Sequence, residues 1–545
     1  MSLDNNFKIS ILVFWTFGCV LFILVIFHYV ALSSNVADLG FFTTNLINTS
    51  SQWQRAFYSH IQPLMLIWGA AYHAFPSQWA PLILIATQAL TLLASVAVIR
   101  QKFGPWPATA MLLYYPFWVN ALFDFHFDHL AVPLLTAFFI LCQRKRFVWA
   151  TLIAASLVLI KEPFALQTMA CGLYFVWLAF THRDQGISTR LMILAALLAL
   201  WGAAWFYAAT RWLLPYFGTG TRGALDSNAF NWMGATLPEM IRTLITRPDR
   251  ILIEILSTPG KLIYLIVIFG LLAFVPLLRP APLIVALPLL MIAMLSRLPN
   301  YYDYATHYTA GVIVPAIVAF RDGLPVARKW FVRLWQWMQG LFDRMTAVRI
   351  PASPWSPEKI FSVLLISWLI AGHWAFASSP ISRLFWSDKV WSYSWHAYVP
   401  TQRTAMMKRA MLTYIPTDPD VSVTTQNTVN WGHLAHRKVY LPFPLGVTEP
   451  YPVMEWSNRS WQGLWRFIRT GYMPPAITHD RFADYVVLDL KRPYFIADKG
   501  CDWIYGKCRN KEMEKRFLDY VAYVCHHYDM LFEQDGFMIL KRPRP

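Results

Sequence analysis

The sequence predicts an all-α polytopic membrane domain followed by a C-terminal α/β domain that lies in water. The first observation is composition: 57% of the 545 residues are hydrophobic and 14% are charged, whereas about a quarter of the residues of a soluble protein are charged. The second is the placement of the +17 net charge. It could indicate nucleic-acid binding, but the Lys and Arg clusters stand directly beside apolar runs, as in membrane proteins. We therefore expect membrane lipids, and no nucleic acid, as partners.

Eleven apolar runs are candidates for transmembrane helices, since about 20 residues are needed to cross about 30 Å of hydrocarbon. They cover residues 9–32, 80–99, 106–123, 129–143, 147–160, 163–180, 190–209, 261–278, 281–296, 308–320 and 359–377. The first run is long and no small-residue cleavage site follows it, so we interpret it as a retained helix rather than a signal peptide. The membrane domain is predicted to cover residues 1–378, with about eleven helices.

The distribution of Lys and Arg predicts the orientation of these helices. The segments after the second, fourth, sixth, eighth and tenth runs carry the basic clusters, which places them and the N-terminus in the cytoplasm and the C-terminal domain outside a bacterial inner membrane. The stretch 61–75 is predicted to be a helix on the outer membrane surface, because a further crossing would invert this pattern. The basic, Trp-rich segment 321–359 predicts an amphipathic helix on the anionic inner leaflet.

The second domain is predicted to cover residues 379–545. Hydropathy falls there, and short strand-like runs occur at 438–441, 485–489 and 537–540, which indicates a small α/β domain. Cys501 and Cys508 could form a disulfide outside the cell, or they could be unrelated thiols.

Ionisable side chains near the hydrocarbon are costly, so those at the outer ends of the runs are candidates for function. Asp38, just after the first run, could act as a general base, or it could cap the helix that follows. His60 could bind a metal, a phosphate or a sugar hydroxyl, or it could be a structural hydrogen-bonding residue.

The densest group of ionisable residues is the stretch 123–129, whose sequence is FDFHFDH. If this stretch is extended, Asp124, His126 and Asp128 share one side and could bind a divalent metal ion. A solvated turn is the alternative, although the intervening Phe residues argue against it. A divalent metal is the one cofactor that the sequence suggests.

Two further pairs complete the set of candidates. Lys161 and Glu162 could neutralise each other as a buried ion pair, or Lys161 could face a phosphate. His307 and Tyr308 could stack on a sugar ring or bind its hydroxyls, or they could belong to an interfacial aromatic belt. Five outer loops thus carry ionisable groups, and we expect Asp38, His60, Asp124, His126 and Lys161 to line one outward site.

Several common motifs are absent from the sequence. It has no Walker motif, no GxGxxG after a strand, no HExxH and no zinc-type pair of CxxC motifs, which argues against nucleotide hydrolysis and common zinc proteolysis. We also detect no inverted repeat or broken-helix pair of the kind that transporters carry.

The order of these features resembles that of a known family. Asp38-Leu-Gly-Phe-Phe, His60, Asp124-Phe-His126, Lys161-Glu162, His307-Tyr308, Gly432-His-Leu-Ala-His-Arg437 and Ala483-Asp-Tyr-Val-Val-Leu-Asp489 follow one another along the chain. In this it resembles an uncharacterised prokaryotic family of predicted membrane proteins, which is itself similar to the GT-C glycosyltransferases.

The resemblance implies an inverting transfer of a sugar from a polyprenyl-phosphate donor to a glycan or lipid acceptor of the cell envelope. In GT-C enzymes an acidic residue of the first outer loop is the catalytic base, and Asp38 is the matching position. The usual second acid of that loop is missing here. Departure of the phosphate needs a cation, for which Lys161, Arg55 or a bound metal are candidates.

Two other functions stay open at this point. Many apolar helices with a few charges also describe a transporter or flippase of an amphiphilic or lipid-linked substrate. A non-catalytic envelope assembly protein is the third hypothesis, and it requires an outer domain that binds a partner by itself.

Overall fold

The computed structural model describes residues 3–49, 51–75, 79–181, 185–218, 227–345, 355–387, 394–455, 458–492 and 511–543. The helices are α1 Leu3–Val30, α2 Phe41–Asn48, α3 Leu64–Tyr72, α4 Ala80–Phe103, α5 Pro105–Leu113, α6 Tyr115–Leu122, α7 Ala131–Gln143, α8 Phe147–Ser156, α9 Pro163–Thr181, α10 Gln185–Ala208, α11 Leu214–Phe217, α12 Ser227–Phe230, α13 Leu237–Thr246, α14 Pro248–Leu256, α15 Pro259–Leu265, α16 Leu287–Leu295, α17 Ala310–Met345, α18 Pro357–Phe376, α19 Gln402–Tyr414, α20 Gly432–Ala435, α21 Trp461–Thr470 and α22 Lys511–His527. The strands are β1 Val423–Thr425, β2 Tyr440–Pro442, β3 Tyr451–Glu455, β4 Ile477–Arg481, β5 Tyr485–Asp489, β6 Asp529–Gln534 and β7 Phe537–Lys541.

The membrane domain is a bundle of apolar helices, as the composition predicts. Within the described ranges, five helices are long and apolar enough to cross a membrane, at 80–103, 163–181, 185–217, 307–342 and 357–376. Shorter apolar helices cover 14–30, 127–143, 147–159 and 281–295. Several spans are therefore present, and helix occurs in each of the eleven predicted runs. The number of eleven crossings stays a prediction.

The third predicted run is two helices rather than one. Tyr114 separates α5 from α6 and has an extended backbone, with φ −81° and ψ 117°. Pro116 follows in the first turn of α6, where its missing N–H costs no hydrogen bond. The break changes the direction of the chain just before the loop at 123–126.

A bent helix pair of the kind found in broken spans and re-entrant loops is also present, although none was expected from the sequence. Helix α14 and the helical stretch 259–270 are bent by 86° at the residues between them. Pro259 begins the second half, and a proline cannot continue a preceding helix without losing a hydrogen bond. Glu254 binds the Lys261 ammonium at 3.1 Å and the Arg297 guanidinium at 3.1 Å, which ties the two halves together.

The segments predicted to lie on the membrane surface have two different outcomes. Helix α3 is nine residues long, too short to cross the hydrocarbon, in agreement with the prediction that 61–75 is no crossing. Among the described residues, the basic segment 321–359 is helical up to residue 345, as predicted, but it is continuous with the tenth run. Helix α17 continues unbroken for 36 residues through Pro315 and Pro325. The position of this segment on the inner leaflet stays a prediction.

The C-terminal domain is α/β, as predicted, and its three strand-like runs correspond to β2, β5 and β7. Five strands form one sheet in the order β2-β1-β5-β7-β6, in which β1 is parallel to β2 and β5, while β7 is antiparallel to β5 and β6. Strands β3 and β4 form a separate antiparallel pair.

Alternation along β5 explains how helices cover both faces of this sheet. Tyr485 and Val487 pack with α19 on one face, and Val486 and Leu488 pack with α22 on the other, because successive side chains of a strand point to opposite faces. Among the described cysteines, Cys19, Cys142, Cys171 and Cys525 are free thiols. Cys501 and Cys508 lie outside the described residues.

Candidate functional site

The loop after α1 brings Asp38 to the candidate site. Arg492 of the C-terminal domain donates hydrogen bonds to the backbone oxygens of Ala31 and Leu32, and Leu32 adopts a positive φ of 61°, which turns the chain. The stretch Val36–Gly40 is a π-helical turn that runs directly into α2. Helix α2 starts after Gly40 and receives no side-chain cap, so the prediction that Asp38 caps this helix is wrong.

Asp38 contacts the imidazole of His126. The distance from Oδ1 of Asp38 to Nε2 of His126 is 3.5 Å. Nδ1 of His126 lies 2.9 Å from the backbone oxygen of Asp124. A carbonyl oxygen only accepts, so the proton of the neutral ring lies on Nδ1 and the lone pair of Nε2 faces Asp38. The two groups are thus arranged to share one proton.

Gln88 of α4 fixes the backbone that carries His126. Its amide nitrogen donates to the carbonyl oxygens of Asn120 at 3.0 Å and Phe123 at 2.8 Å, and its amide oxygen accepts from the His126 N–H at 3.1 Å. Gln88 is buried, where unpaired polar groups are costly. The stretch up to His126 is therefore held extended, as the alternation of FDFHFDH predicts.

The extended conformation ends at His126, so the rest of the prediction for this stretch differs from the structure. Asp128 lies in a 3-10 turn at Phe127–Leu130 and faces Lys161, with 3.8 Å between Oδ1 and Nζ. Asp124 instead accepts a hydrogen bond from the backbone N–H of Asn35. In the described part of the chain, no three His, Cys, Asp or Glu side chains are grouped to hold a metal ion. The Asp124, His126 and Asp128 metal site stays a prediction.

His307 lies flat against His126. The two ring centroids are 3.7 Å apart, with 18° between the planes, and the Tyr308 ring lies 4.3 Å from His307. His307 is buried, and neither of its ring nitrogens finds a hydrogen-bond partner within the described ranges. A buried imidazole in this state is available to a ligand, because a buried polar group without a partner is otherwise destabilising.

Lys161 supplies a buried positive charge to the same cluster. Its Nζ lies 5.2 Å from the centre of the Tyr308 ring, in addition to the contact with Asp128. Burial alone would lower the pKa of Lys161, but the charges of Asp128, Tyr308 and Glu162 outweigh it and raise that pKa above its usual range. Lys161 is therefore protonated at neutral pH.

Glu162 points away from its neighbour and binds His60. The distance between Oε1 of Glu162 and Nδ1 of His60 is 2.6 Å, and Oε2 accepts from the Ile61 N–H at 3.1 Å. Of the two alternatives for this pair, a direct ion pair between Lys161 and Glu162 is not formed, because Lys161 contacts Asp128 and Glu162 contacts His60. Burial would raise the pKa of Glu162, but His60 and Lys161 hold it below its usual range, so the carboxylate is ionised.

Burial shifts the pKa values of Asp38, Asp124 and His126. Burial raises the pKa of Asp38, against the effects of His126 and of a hydrogen bond from Asn35. Burial and the nearby Asp38 carboxylate raise the pKa of Asp124 well above its usual range. Burial lowers the pKa of His126, against the attraction of Asp38 and Asp128. Burial therefore favours the neutral forms of Asp38, Asp124 and His126.

The structure brings most of the predicted site residues together. Direct contacts connect Asp38, Asp124, His126, Asp128, Lys161, His307 and Tyr308, and Glu162 with its partner His60 follows Lys161 in the chain. Arg55 is the exception. Its Nε donates to Gln52 at 3.1 Å, and it lies near Tyr58 and Tyr451. Within the described residues, none of these neighbours of Arg55 belongs to the cluster.

Sequence reasoning missed the amides that hold the Asp38 loop. The backbone oxygen of Asn427 accepts from the Val36 N–H, and its side-chain oxygen accepts from the Ala37 N–H at 2.8 Å. The Asn430 side chain donates to the Asn35 backbone oxygen at 3.1 Å. The signal in the sequence is the run QNTVN at 426–430 directly after β1, a polar loop at the carboxyl end of a strand.

The fold and this cluster define a class of protein. It is a multi-pass membrane protein with a buried ionisable site, and its C-terminal α/β domain binds the loop that carries Asp38. The family described as predicted membrane protein, DUF2079, matches residues 28–458, which include the whole site. The chain belongs to this family. No curated protein matches it.

Proposed function

We propose that this protein is an inverting glycosyltransferase that moves a sugar from a polyprenyl-phosphate donor to an acceptor hydroxyl at the outer face of the bacterial inner membrane. The observation that carries the proposal is the contact of Asp38 with His126 inside a buried cluster that also holds Lys161. A carboxylate with a proton-accepting neighbour and a buried cation is what a transfer between a hydroxyl and a phosphate ester requires.

In the proposed reaction, the acceptor oxygen attacks the anomeric carbon as the bond from that carbon to the phosphate oxygen breaks. The phosphate leaves with the bonding electron pair, and Lys161 faces the charge that develops on it. Asp38 takes the proton of the acceptor hydroxyl. Its contact with Nε2 of His126 stabilises the proton once it has been transferred.

His307 and Tyr308 support binding of the sugar in this proposal. The unpartnered nitrogens of His307 suit the hydroxyls of a sugar, and aromatic faces suit its apolar C–H surface. Arg55 lies apart from the cluster, so the role of the cation falls to Lys161. A metal ion bound by Asp124, His126 and Asp128 would need their side chains to be rearranged.

The test is to incubate the purified full chain with a panel of polyprenyl-phosphate sugars and measure the release of polyprenyl phosphate. We expect one donor to be consumed by the natural protein, and the Asp38→Asn variant to lose the activity by at least about a hundredfold, a general base contributing roughly 10²–10⁴. Asp249→Asn is the control, because Asp249 is exposed and binds the Arg247 guanidinium at 2.8 Å. Full activity of Asp38→Asn would exclude the proposed base.

A transporter or flippase of a lipid-linked substrate is the second candidate, and the bent helix pair that begins with α14 favours it. Helices interrupted within the membrane form the binding sites of many transporters. The ionisable cluster lies elsewhere, on the loops around Asp38, which favours the transferase. Movement of a fluorescent polyprenyl phosphate across proteoliposomes, without acceptor and unaffected by Asp38→Asn, would support the transporter.

A further inference from the structure

A basic groove lies at the opposite end of the membrane domain from the Asp38 cluster, between the C-terminal half of α17 and the start of α18. Its volume is about 400 Å³, and its lining includes Leu324, Arg328, Lys329, Val332, Arg333 and Glu358. The lining therefore has three cationic side chains and one carboxylate. A groove with this charge suits an anionic ligand.

Two aromatic rings pack between the helices that form the groove. The Phe331 ring of α17 lies 5.5 Å from the Phe361 ring, which is one turn inside the start of α18. Helix α18 is 20 residues long and apolar, about the length that crosses the hydrocarbon. Its first turn, and with it the groove, lies where hydrocarbon meets the lipid headgroups.

An incompletely satisfied guanidinium lines the groove. Nε of Arg328 is buried and has no hydrogen-bond partner among the residues that the structure describes. A guanidinium presents its donors in a planar fork that matches the oxygens of a phosphate. Arg333, five residues further along α17, also lines the groove.

An exposed apolar stripe runs beside these cations along α17. Trp330, Leu334, Trp337 and Leu341 recur at helical spacing, and all four are exposed. Exposed Trp and Leu beside Arg and Lys are typical of a helix in the membrane interface, where Trp lies at the level of the headgroups. The stripe offers the acyl chains of a lipid a surface next to the charged groove.

We infer that this groove is a binding site for one anionic glycerophospholipid, whose phosphate lies between Arg328 and Arg333. The ligand is a lipid rather than free phosphate, because the cations lie at headgroup depth and have the apolar stripe beside them. The Lys and Arg distribution predicts this end of α17 to be cytoplasmic. The site is independent of the reaction proposed at Asp38.

Native mass spectrometry of the full chain in detergent, titrated with phosphatidylglycerol, phosphatidylcholine or inorganic phosphate, tests the inference. We expect one phosphatidylglycerol to bind in preference to phosphatidylcholine. The double change Arg328→Gln and Arg333→Gln should weaken that binding by roughly thirtyfold, at about 1 kcal/mol for each charge near a membrane surface. The matched control is Arg344→Gln, on the same helix but outside the groove lining.

Two further measurements test whether the two arginines act through their charge and whether the variants stay folded. The double change Arg328→Lys and Arg333→Lys keeps both charges and should keep most of the preference for phosphatidylglycerol, and thermal unfolding without lipid should be the same for all variants. If the Gln variants unfold early, Arg333→Gln alone replaces them, with about fivefold weaker binding expected. Unchanged lipid binding of the Gln variants, equal binding of phosphatidylcholine, or equal binding of inorganic phosphate would each overturn the inference.

Discussion

His60 and Glu162 form a hydrogen bond of 2.6 Å between Nδ1 and Oε1, across 102 residues of chain. Both carboxylate oxygens of Glu162 are used, since the second accepts from the Ile61 N–H. The Glu162 side chain is almost fully buried, while that of His60 is one-third exposed. The pair therefore fixes the segment before α3 against the start of α9, next to Lys161.

Removal of the Glu162 carboxylate should destabilise the protein. We expect Glu162→Ala to lower the free energy of unfolding by about 2 kcal/mol, because hydrogen bonds to charged groups contribute about 1.5–3 kcal/mol and the Ile61 N–H would be left unpaired. Unfolding in a denaturing detergent measures the change. Glu533→Ala, at an exposed position of β6, is the control and should change it by less than about 0.5 kcal/mol. Equal stability of the two variants would show that the pair is not structural.

The contribution of Glu162 should depend on pH in a defined direction. Its pKa is lower in the folded protein than its usual value of about 4.3, so the folded state favours the ionised form. The stabilisation is present above the usual pKa and is lost as the pH falls through the lowered one. We expect the difference in melting temperature between the natural protein and Glu162→Gln to be constant near pH 6–7 and to shrink below about pH 4.3. A difference that grows on acidification would contradict this sign.

The pH dependence of sugar transfer is expected to report on Asp38. Transfer requires ionised Asp38, and its pKa in the folded protein is raised, so activity should fall on the acid side at a higher pH than for an ordinary Asp, whose pKa is about 3.9. His126 opposes the rise. His126→Gln should therefore move the acid limb of kcat/KM to still higher pH. The control is His479→Gln, because His479 lies on β4 and contacts Glu455 at an exposed position. This variant should leave the acid limb unchanged. If the acid limb of His126→Gln lies at the same pH as in the natural protein, His126 has no influence on the pKa of Asp38 during transfer.

The parts of the fold that could be predicted from the sequence are those that depend on residues close together in the chain. Hydropathy over about 20 residues is a local property, and it located the helices of the membrane domain and the strands β2, β5 and β7. The 86° bend after α14 was missed, although Pro259 at the start of the second half is a local sign of a helix break. The contact of Glu254 with Arg297, 43 residues away, could not be predicted from local sequence. The continuity of α17 was missed because polarity was interpreted as a break in the helix, although a helix can leave the membrane without ending.

For the candidate site, the sequence predicted the members of the cluster better than their partners. Costly ionisable groups at the outer ends of apolar runs are visible one at a time, and this identified Asp38, His126, Lys161 and His307. Their pairing depends on the fold: Lys161 and Glu162 are adjacent in sequence, but Lys161 contacts Asp128 in the turn before α7, and Glu162 contacts His60 in the segment before α3. Gln88 could not be recognised, because a single Gln within an apolar run gives no sign of the three backbone groups that it binds.

The last prediction concerns the contact between the two domains. The C-terminal domain binds the loop that carries Asp38 and so helps to position this residue. Asn427 binds the Val36 and Ala37 N–H groups, and Lys408 donates to the Val30 oxygen at 2.7 Å. The change Asn427→Ala keeps the backbone contact but leaves the Ala37 N–H without its acceptor, at a cost of about 1–3 kcal/mol. We expect faster amide hydrogen exchange at residues 35–40 and no change in α22, which packs on a distant face of the sheet. Asn231→Ala, at an exposed position, is the control. If exchange at 35–40 is unaffected in Asn427→Ala, the side chain of Asn427 has no part in holding the loop that carries Asp38.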